Sequence, residues 1–250
     1  MERRIYERTA AAEDAHWWFR GRRRIVESTI RRLKLPSDAT ILEAGCGSGG
    51  NLAMLARHGT VYGFEYDQAQ VDIARARAVG QVARGSLPDE IPFGGVQFDL
   101  IVLLDVLEHL ENDRECLRAL LARLKPGGRV LVTVPALQWL WGPHDVVHHH
   151  HRRYSETRLR SVLVSVGLTP SICSYFNALL FPAVAARRLL ERKGSAHTES
   201  DLAVPPAPVN KLLETVFASE RFALPKVSLP IGSSLIAVAS YAAAAVPVDG

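Results

Sequence analysis

The chain has 250 residues, 48% hydrophobic and 22% charged, which excludes a disordered or fibrous protein and allows one large core with an elaboration. Its net charge of +4 is partly local, in Arg20, Arg22, Arg23, Arg24, Arg31 and Arg32, a set that suits a phosphate or membrane surface as well as a solvated helix face. Cys46, Cys116 and Cys173 show no C-x-x-C spacing, no stretch reaches the ~18 apolar residues of a membrane span, and "MERRIYERTAAAEDAHWW" has no apolar signal core; disulfide frameworks and zinc knuckles are excluded, and a reduced, cytoplasmic setting is expected.

In chain order, "HWWFRGRRR" comes first, and adjacent Trp17, Trp18 and Phe19 are too aromatic for a plain surface helix. "TILEAGCG" reads as a short buried strand ending in glycines, and a helix begins near Asn51. "TVYGFEYD" is a second strand, followed by a helix over "DQAQVDIARARA" with Asp67 as its cap and Gln70 at the third helical position. "FDLIVLLDV" is almost wholly apolar, as strands covered on both faces are. Leu117, Leu120, Leu121 and Leu124 fall on one helix face, "KPGG" ends that helix, and "RVLVTVP" is a further strand. "DVVHHHHRRYS" then carries four consecutive histidines, His148 to His151, and Ser155 caps a helix with Leu159, Val162, Leu163 and Val166 on one face. Between about Tyr175 and Pro230 the rhythm breaks, and "SSLIAVASYA" restores one last strand. Repeated strand–helix alternation predicts an α/β fold, a doubly wound Rossmann-like sheet with helices on both faces.

"ILEAGCGSGGN" places Glu43, Gly45, Gly47 and Gly49 at alternate positions where a strand turns into a helix, and Glu65 closes the next strand. Glycines let a ligand approach the backbone, and an acid at the end of the second strand accepts hydrogen bonds from ribose hydroxyls. The absence of a nearby phosphate-binding lysine argues against a triphosphate. With "VYGFEYD", "GSLPDEIPF", "FDLIVLLDVLEHL" and "LKPGGRVLVTVP" in register behind it, the loop resembles the class I S-adenosylmethionine-dependent methyltransferases, closely from Ala39 to Pro135 and more loosely toward both ends. The resemblance implies seven strands with the last antiparallel, and S-adenosylmethionine as cofactor. It implies that Glu43 lies near the methionine amino group, that Gly45 and Gly47 pass beneath the cofactor, and that Glu65 holds the ribose diol. By the same resemblance Tyr66 packs on the adenine, Gly85, Ser86 and Leu87 line its edge, and Leu104 and Asp105 flank the methionine portion. Asp105, Glu108 and His109 in "DVLEHL" can equally do no more than start a helix.

The resemblance also implies an N-terminal helical lid, in which Trp18 or Phe19 covers the cofactor and Arg20 or Arg24 meets its carboxylate. Similar chains carry D-x4-H-x-R-R-Y after the fifth strand, matched here by Asp145, His150, Arg152, Arg153 and Tyr154. His150 is therefore the expected proton acceptor or acceptor-orienting group, with Asp145 fixing its ring. His148 shares its side in an extended loop, while His149 and His151 point away. A polar loop and a metal site are the rival readings; consecutive histidines lack the i, i+4 spacing of H-E-x-x-H sites, and no metal is assigned. The expected organisation is an N-terminal lid over 1–38, a cofactor-binding core over 39–174, an acceptor-binding insertion over 175–230, and the final strand and tail over 231–250. The expected activity is methyl transfer to a hydroxyl of a small, amphipathic or sugar- or lipid-linked acceptor. An N- or C-methyltransferase and a non-catalytic cofactor-binding module are the alternatives. Arg187, Arg188, Arg192 and Lys193 suit peripheral membrane contact through 175–193. Nucleic acid is not expected, because the (D/N)-P-P-(Y/F) signature is missing. The sequence carries no signal of oligomeric state.

Overall fold

The computed structural model describes residues 10–191, 203–224 and 226–241. Its centre is a seven-stranded sheet: β1 (Thr40–Ala44), β2 (Thr60–Glu65), β3 (Gln81–Arg84), β4 (Phe98–Leu104), β5 (Leu124–Pro135), β6 (Leu168–Phe176) and β7 (Ser234–Tyr241). The spatial order is β3-β2-β1-β4-β5-β7-β6. The first five strands run parallel, and β7 lies antiparallel between β5 and β6. The doubly wound sheet with an antiparallel last strand is the fold expected.

Strand alternation builds a core on each face. Leu42, Ile101, Leu103, Val130, Val132, Leu235 and Ala237 turn to one side. Ile41, Leu100, Val102, Leu131, Ile236 and Val238 turn to the other. The helices are α1 (Trp17–Leu33), α2 (Leu52–Leu55), α3 (Gln68–Ala76), α4 (Asp113–Leu121), α5 (Pro143–Val147), α6 (Glu156–Ser165), α7 (Phe181–Glu191) and α8 (Ala207–Ser219). Leu117 and Leu120 of α4 and Leu159, Val162 and Leu163 of α6 cover the first face. Ile25, Val26, Ile30 and Leu33 of α1, with Phe217 of α8, cover the second. Asp67 and Ser155 cap α3 and α6 as expected, accepting from the backbone N–H groups of Ala69 and Gln70 and of Arg158. Leu124, expected on α4, instead opens β5, which begins ahead of "KPGG".

Two expectations change shape. The buried face of α1 makes that helix part of the core and leaves residues 10–15, which are helical, and the first turn of α1 for the expected lid; residues 1–9 lie outside the described residues. The segment between β6 and β7 also divides. α7 stands at the mouth of the central cavity, while α8 packs along α1. Gly21 permits that approach, since a Cβ there would lie 2.4 Å from Phe217 Cδ1. Asn210 of α8 caps the entry to α1, accepting from Trp17 N–H at 2.9 Å and donating to Ala15 O at 2.9 Å. Arg192 and Lys193 lie outside the described residues, as do 242–250. No described helix is long and apolar enough to cross a membrane.

Candidate active site

A cavity of about 910 Å³ opens over the carboxyl ends of β1, β2, β4 and β5, within the range of roughly 300–1,000 Å³ that suits a small-molecule ligand. Sheets of this type hold ligands at that edge. Gly45, Gly47, Glu65, Tyr66, Gly85, Ser86, Leu87, Leu104 and Asp105 line one half. The chain must turn sharply between β1 and α2, and Gly45 and Gly47 supply the left-handed backbone, with φ of 71° and 52°. Among the described residues a Cβ on Gly47 would meet only Glu13 Oε1, at 3.7 Å, so that position faces the cavity.

Glu65 is fixed by the backbone around it. Its carboxylate accepts from Gly47 N–H at 3.0 Å, Tyr66 N–H at 2.8 Å and Asp67 N–H at 3.3 Å. Tyr66 is largely exposed, with the Arg84 guanidinium 5.8 Å from its ring centroid and donating to its carbonyl. Asp105 sits at the tip of β4 with φ of 58°, a left-handed conformation that aspartate tolerates better than most residues. Its side chain pairs with Arg22 and accepts from Thr133 Oγ1 at 3.1 Å.

Glu43 does not line the cavity. It is buried beneath the glycine loop, where Asn51 Nδ2 donates to one oxygen at 2.8 Å and the other has no partner among the described residues. Burial pushes its carboxyl up to about 8.

The arginines expected on the cofactor carboxylate are corrected. Arg20 and Arg24 share one face of α1 and pair with the buried Glu214 of α8, at 3.2 and 2.9 Å, away from the cavity. Arg22, on the opposite face, is the arginine of α1 that lines it; it is buried, and its Nε has no hydrogen-bond partner among the described residues. Trp18 and Phe19 both line the cavity, and Trp18 also stacks on Phe217 at 4.9 Å between centroids. The aromatic run thus serves packing as well as enclosure. Glu13, absent from the expected set, takes a hydrogen bond from Ser48 of the glycine loop and so ties the helical segment at 10–15 down.

The histidine loop forms the other half. It is not extended: α5 carries the chain to His148, and His149 turns it with φ of 56°. His148 and His150 nonetheless line the cavity, while His149 and His151 are exposed. Asp145 organises the loop. It is fully buried, and its two oxygens accept from His150 Nδ1 at 2.9 Å, Arg153 Nε at 2.8 Å, Arg153 Nη2 at 3.0 Å and Gly142 N–H at 2.8 Å. Burial alone would raise its pKa, but the His150 and Arg153 hydrogen bonds outweigh that and hold it well below the usual carboxylate range. With Nδ1 engaged, His150 has Nε2 left for the cavity. Arg152 pairs with Asp113 at 3.2 Å, and the buried Tyr154 donates to the same carboxylate at 2.8 Å, so both anchor the loop from behind. Glu108 and His109 also line this half. Burial pushes the Glu108 carboxyl well up, with Asp105 adding to it. Desolvation at the cavity wall, with the neighbouring His150 and His148 adding to it, pushes His109 down.

Residues 17–171 match a family model described as a methyltransferase domain. A probable S-adenosylmethionine-dependent methyltransferase of Mycolicibacterium smegmatis is 31% identical over 125 residues, covering 49% of this chain and 47% of that protein. The ubiquinone biosynthesis O-methyltransferase of Pseudomonas fluorescens is 33% identical over 100 residues, covering 36% and 41%. The chain thus spans about half the length of the curated relatives it matches, or less. Among solved structures, a methyltransferase in complex with the Haloferax volcanii Trm112 methyltransferase activator superposes with a TM-score of 0.62 at 18% identity, over 96% of this chain and 95% of that one. The magnesium protoporphyrin IX methyltransferase of Synechocystis PCC 6803, with bound S-adenosylhomocysteine, gives 0.52 at 16% identity over 88% and 84%.

Proposed function

The chain belongs to the class I S-adenosylmethionine-dependent methyltransferases, and from that premise we propose that it methylates a hydroxyl oxygen of a small, amphipathic acceptor. The observation that carries this reading is the two-sided cavity, with Glu65 and the glycine loop on one side and the Asp145–His150 pair on the other. Bound S-adenosylmethionine supplies a methyl carbon activated by a sulfonium. Gly45 and Gly47 let it lie against the backbone, and Glu65 takes the ribose diol with the lone pairs its three amides leave free. Arg22 meets the methionine carboxylate, exchanging its partner Asp105 for the ligand. Burial of Glu43 beneath the loop adds a carboxylate that a cationic ligand favours in its charged form.

The acceptor enters from the side of α7. Val184 gives that wall an apolar surface, and Arg187 and Arg188 give it cations. An oxygen acceptor with an apolar part is consistent with a relative named for ubiquinone biosynthesis. His150, held by Asp145, presents Nε2 to the attacking hydroxyl and takes its proton as the oxygen–carbon bond forms. The buried Asp145 stabilises the imidazolium that results. Exposed Leu189 and Leu190 of α7, with exposed Val146 and Val147 of α5, would bring the mouth against a lipid surface.

The test is acceptor-dependent formation of S-adenosylhomocysteine, screened over hydroxylated amphipathic compounds with and without anionic vesicles. Turnover with phenolic or lipid-linked hydroxyls supports the reading. Turnover confined to amines or carbon acids overturns the oxygen assignment.

A further inference from the structure

Methyl transfer leaves Glu108 and His109, on the cavity wall beside His150, without a role. Glu108 lies in a short 3-10 turn, Leu107–His109, just past the tip of β4. Its side chain is completely buried, yet neither carboxylate oxygen has a hydrogen-bond partner among the described residues. Buried carboxylates are normally hydrogen-bonded, paired or bound to a metal. His109 follows directly, and its ring centroid lies 4.6 Å from that of His150, with the planes at 88°. One ligand-type atom from each of Glu108, His109 and His150 falls within 4.8 Å of the other two.

We infer that Glu108, His109 and His150 bind a single divalent first-row transition cation at the edge of the cavity. The ligand chemistry selects the class. Two imidazoles and one carboxylate suit zinc, cobalt or ferrous iron, whereas magnesium and calcium prefer oxygen throughout. Ligand bonds of about 2.0–2.2 Å require the cluster to contract by about an ångström. Asp145 already makes the outer contact such sites need, holding His150 Nδ1 at 2.9 Å so that Nε2 is the coordinating nitrogen. Arg22 and Arg153 act on Glu108 only through space, and the cation would give its two oxygens a direct partner. Three protein ligands leave positions open to the cavity, where an acceptor oxygen can coordinate.

This rests on the proposed function for its hydroxyl acceptor, and in the cation-bound form it replaces the imidazole base of that reading. In the cation-bound form His150 Nε2 is a ligand, and coordination rather than the imidazole acidifies the acceptor hydroxyl, whose proton passes to water in the open cavity.

The site itself is tested without turnover. Metal-stripped full-length protein is titrated with cobalt(II), following visible absorption and heat. One equivalent per chain is expected, displaced by zinc. Glu108→Gln and His109→Gln should each weaken binding by at least about 100-fold, because loss of an outer-sphere partner alone costs about 10–100-fold. The double variant His149→Ala/His151→Ala, at two exposed positions, should bind as wild type does. S-adenosylhomocysteine binding by Glu108→Gln reports that its site is folded; should it not fold, His109→Gln at the exposed rim decides. No stoichiometric binding, or binding that survives Glu108→Gln and His109→Gln, overturns the inference, and loss only in the His149→Ala/His151→Ala variant identifies adventitious capture by the histidine run. None of these outcomes touches acceptor-dependent S-adenosylhomocysteine formation, so the cation site and methyl transfer fail separately.

Discussion

At Gly47 the missing side chain matters to the ligand rather than to the fold. A Cβ there meets only Glu13 Oε1 at 3.7 Å, and φ is 52°, so Gly47→Val should cost about 1–2 kcal/mol in backbone strain while leaving the core intact. Calorimetry should show a folded protein with S-adenosylhomocysteine binding abolished; wild-type affinity would remove the glycine loop from the site. Glu43 adds a pH signature. Its carboxyl titrates near 8 when folded, against 4.5 unperturbed, so between those values the unfolded chain has released a proton that the folded one keeps. Its contribution is full below about pH 4.5 and is lost as pH rises through about 8. Glu43→Gln, which mimics the protonated form, should gain in Tm over the wild type progressively from pH 5 to pH 8. Parallel Tm curves would contradict this. Local chemistry made Gly47 and Glu65 legible in the sequence, a glycine turn after a strand and an acid closing the next one, whereas Glu43 was expected only from the family resemblance. Arg22 was not legible in that way. Choosing it over Arg20 and Arg24 requires knowing which face of α1 meets Glu214, about 190 residues further along.

At the scale of elements, the pairing of α1 with α8 holds the entrance of the site. Gly21 lies inside α1, where alanine would ordinarily favour the helix by about 1 kcal/mol. Here its Cβ would strike Phe217 at 2.4 Å, and overpacking of that kind costs about 1–3 kcal/mol. Gly21→Ala should therefore lower the denaturant midpoint, or at best leave it unchanged, and weaken ligand retention with it. A clear rise in stability would show that α8 yields freely. The central strands were legible because their apolar runs are continuous. β3 and β6, the two edges of the sheet, were not. β3 is only Gln81–Arg84 and has no buried position, while β6 carries Pro170, beside which its register with β7 shifts. Edge strands tolerate both features because one side of the ladder is unpaired. The histidine loop is a related case. His148 and His150 were expected on one side of an extended loop. They reach the cavity instead through a short helix and a left-handed turn at His149.

For the whole molecule, the cavity is assembled from parts far apart in the chain: the tips of β1, β2, β4 and β5, the start of α1, the loop behind α5, and α7. The half expected to take the cofactor was readable because it is built from contiguous motifs. On the opposite half His148 and His150 were readable, but the wall made by Val184, Arg187 and Arg188 was not, because it depends on where α7 folds back, and periodicity does not encode that. One residue joins the two halves in the proposed reaction. His150 Nε2 faces the cavity while Asp145, neutralised by Arg153, fixes the ring from behind. The decisive measurement is the kcat of His150→Ala with a verified hydroxyl acceptor, set beside its Kd for S-adenosylhomocysteine. The account predicts a fall in kcat of about 10²–10⁴-fold with Kd nearly unchanged; near-wild-type kcat would contradict it.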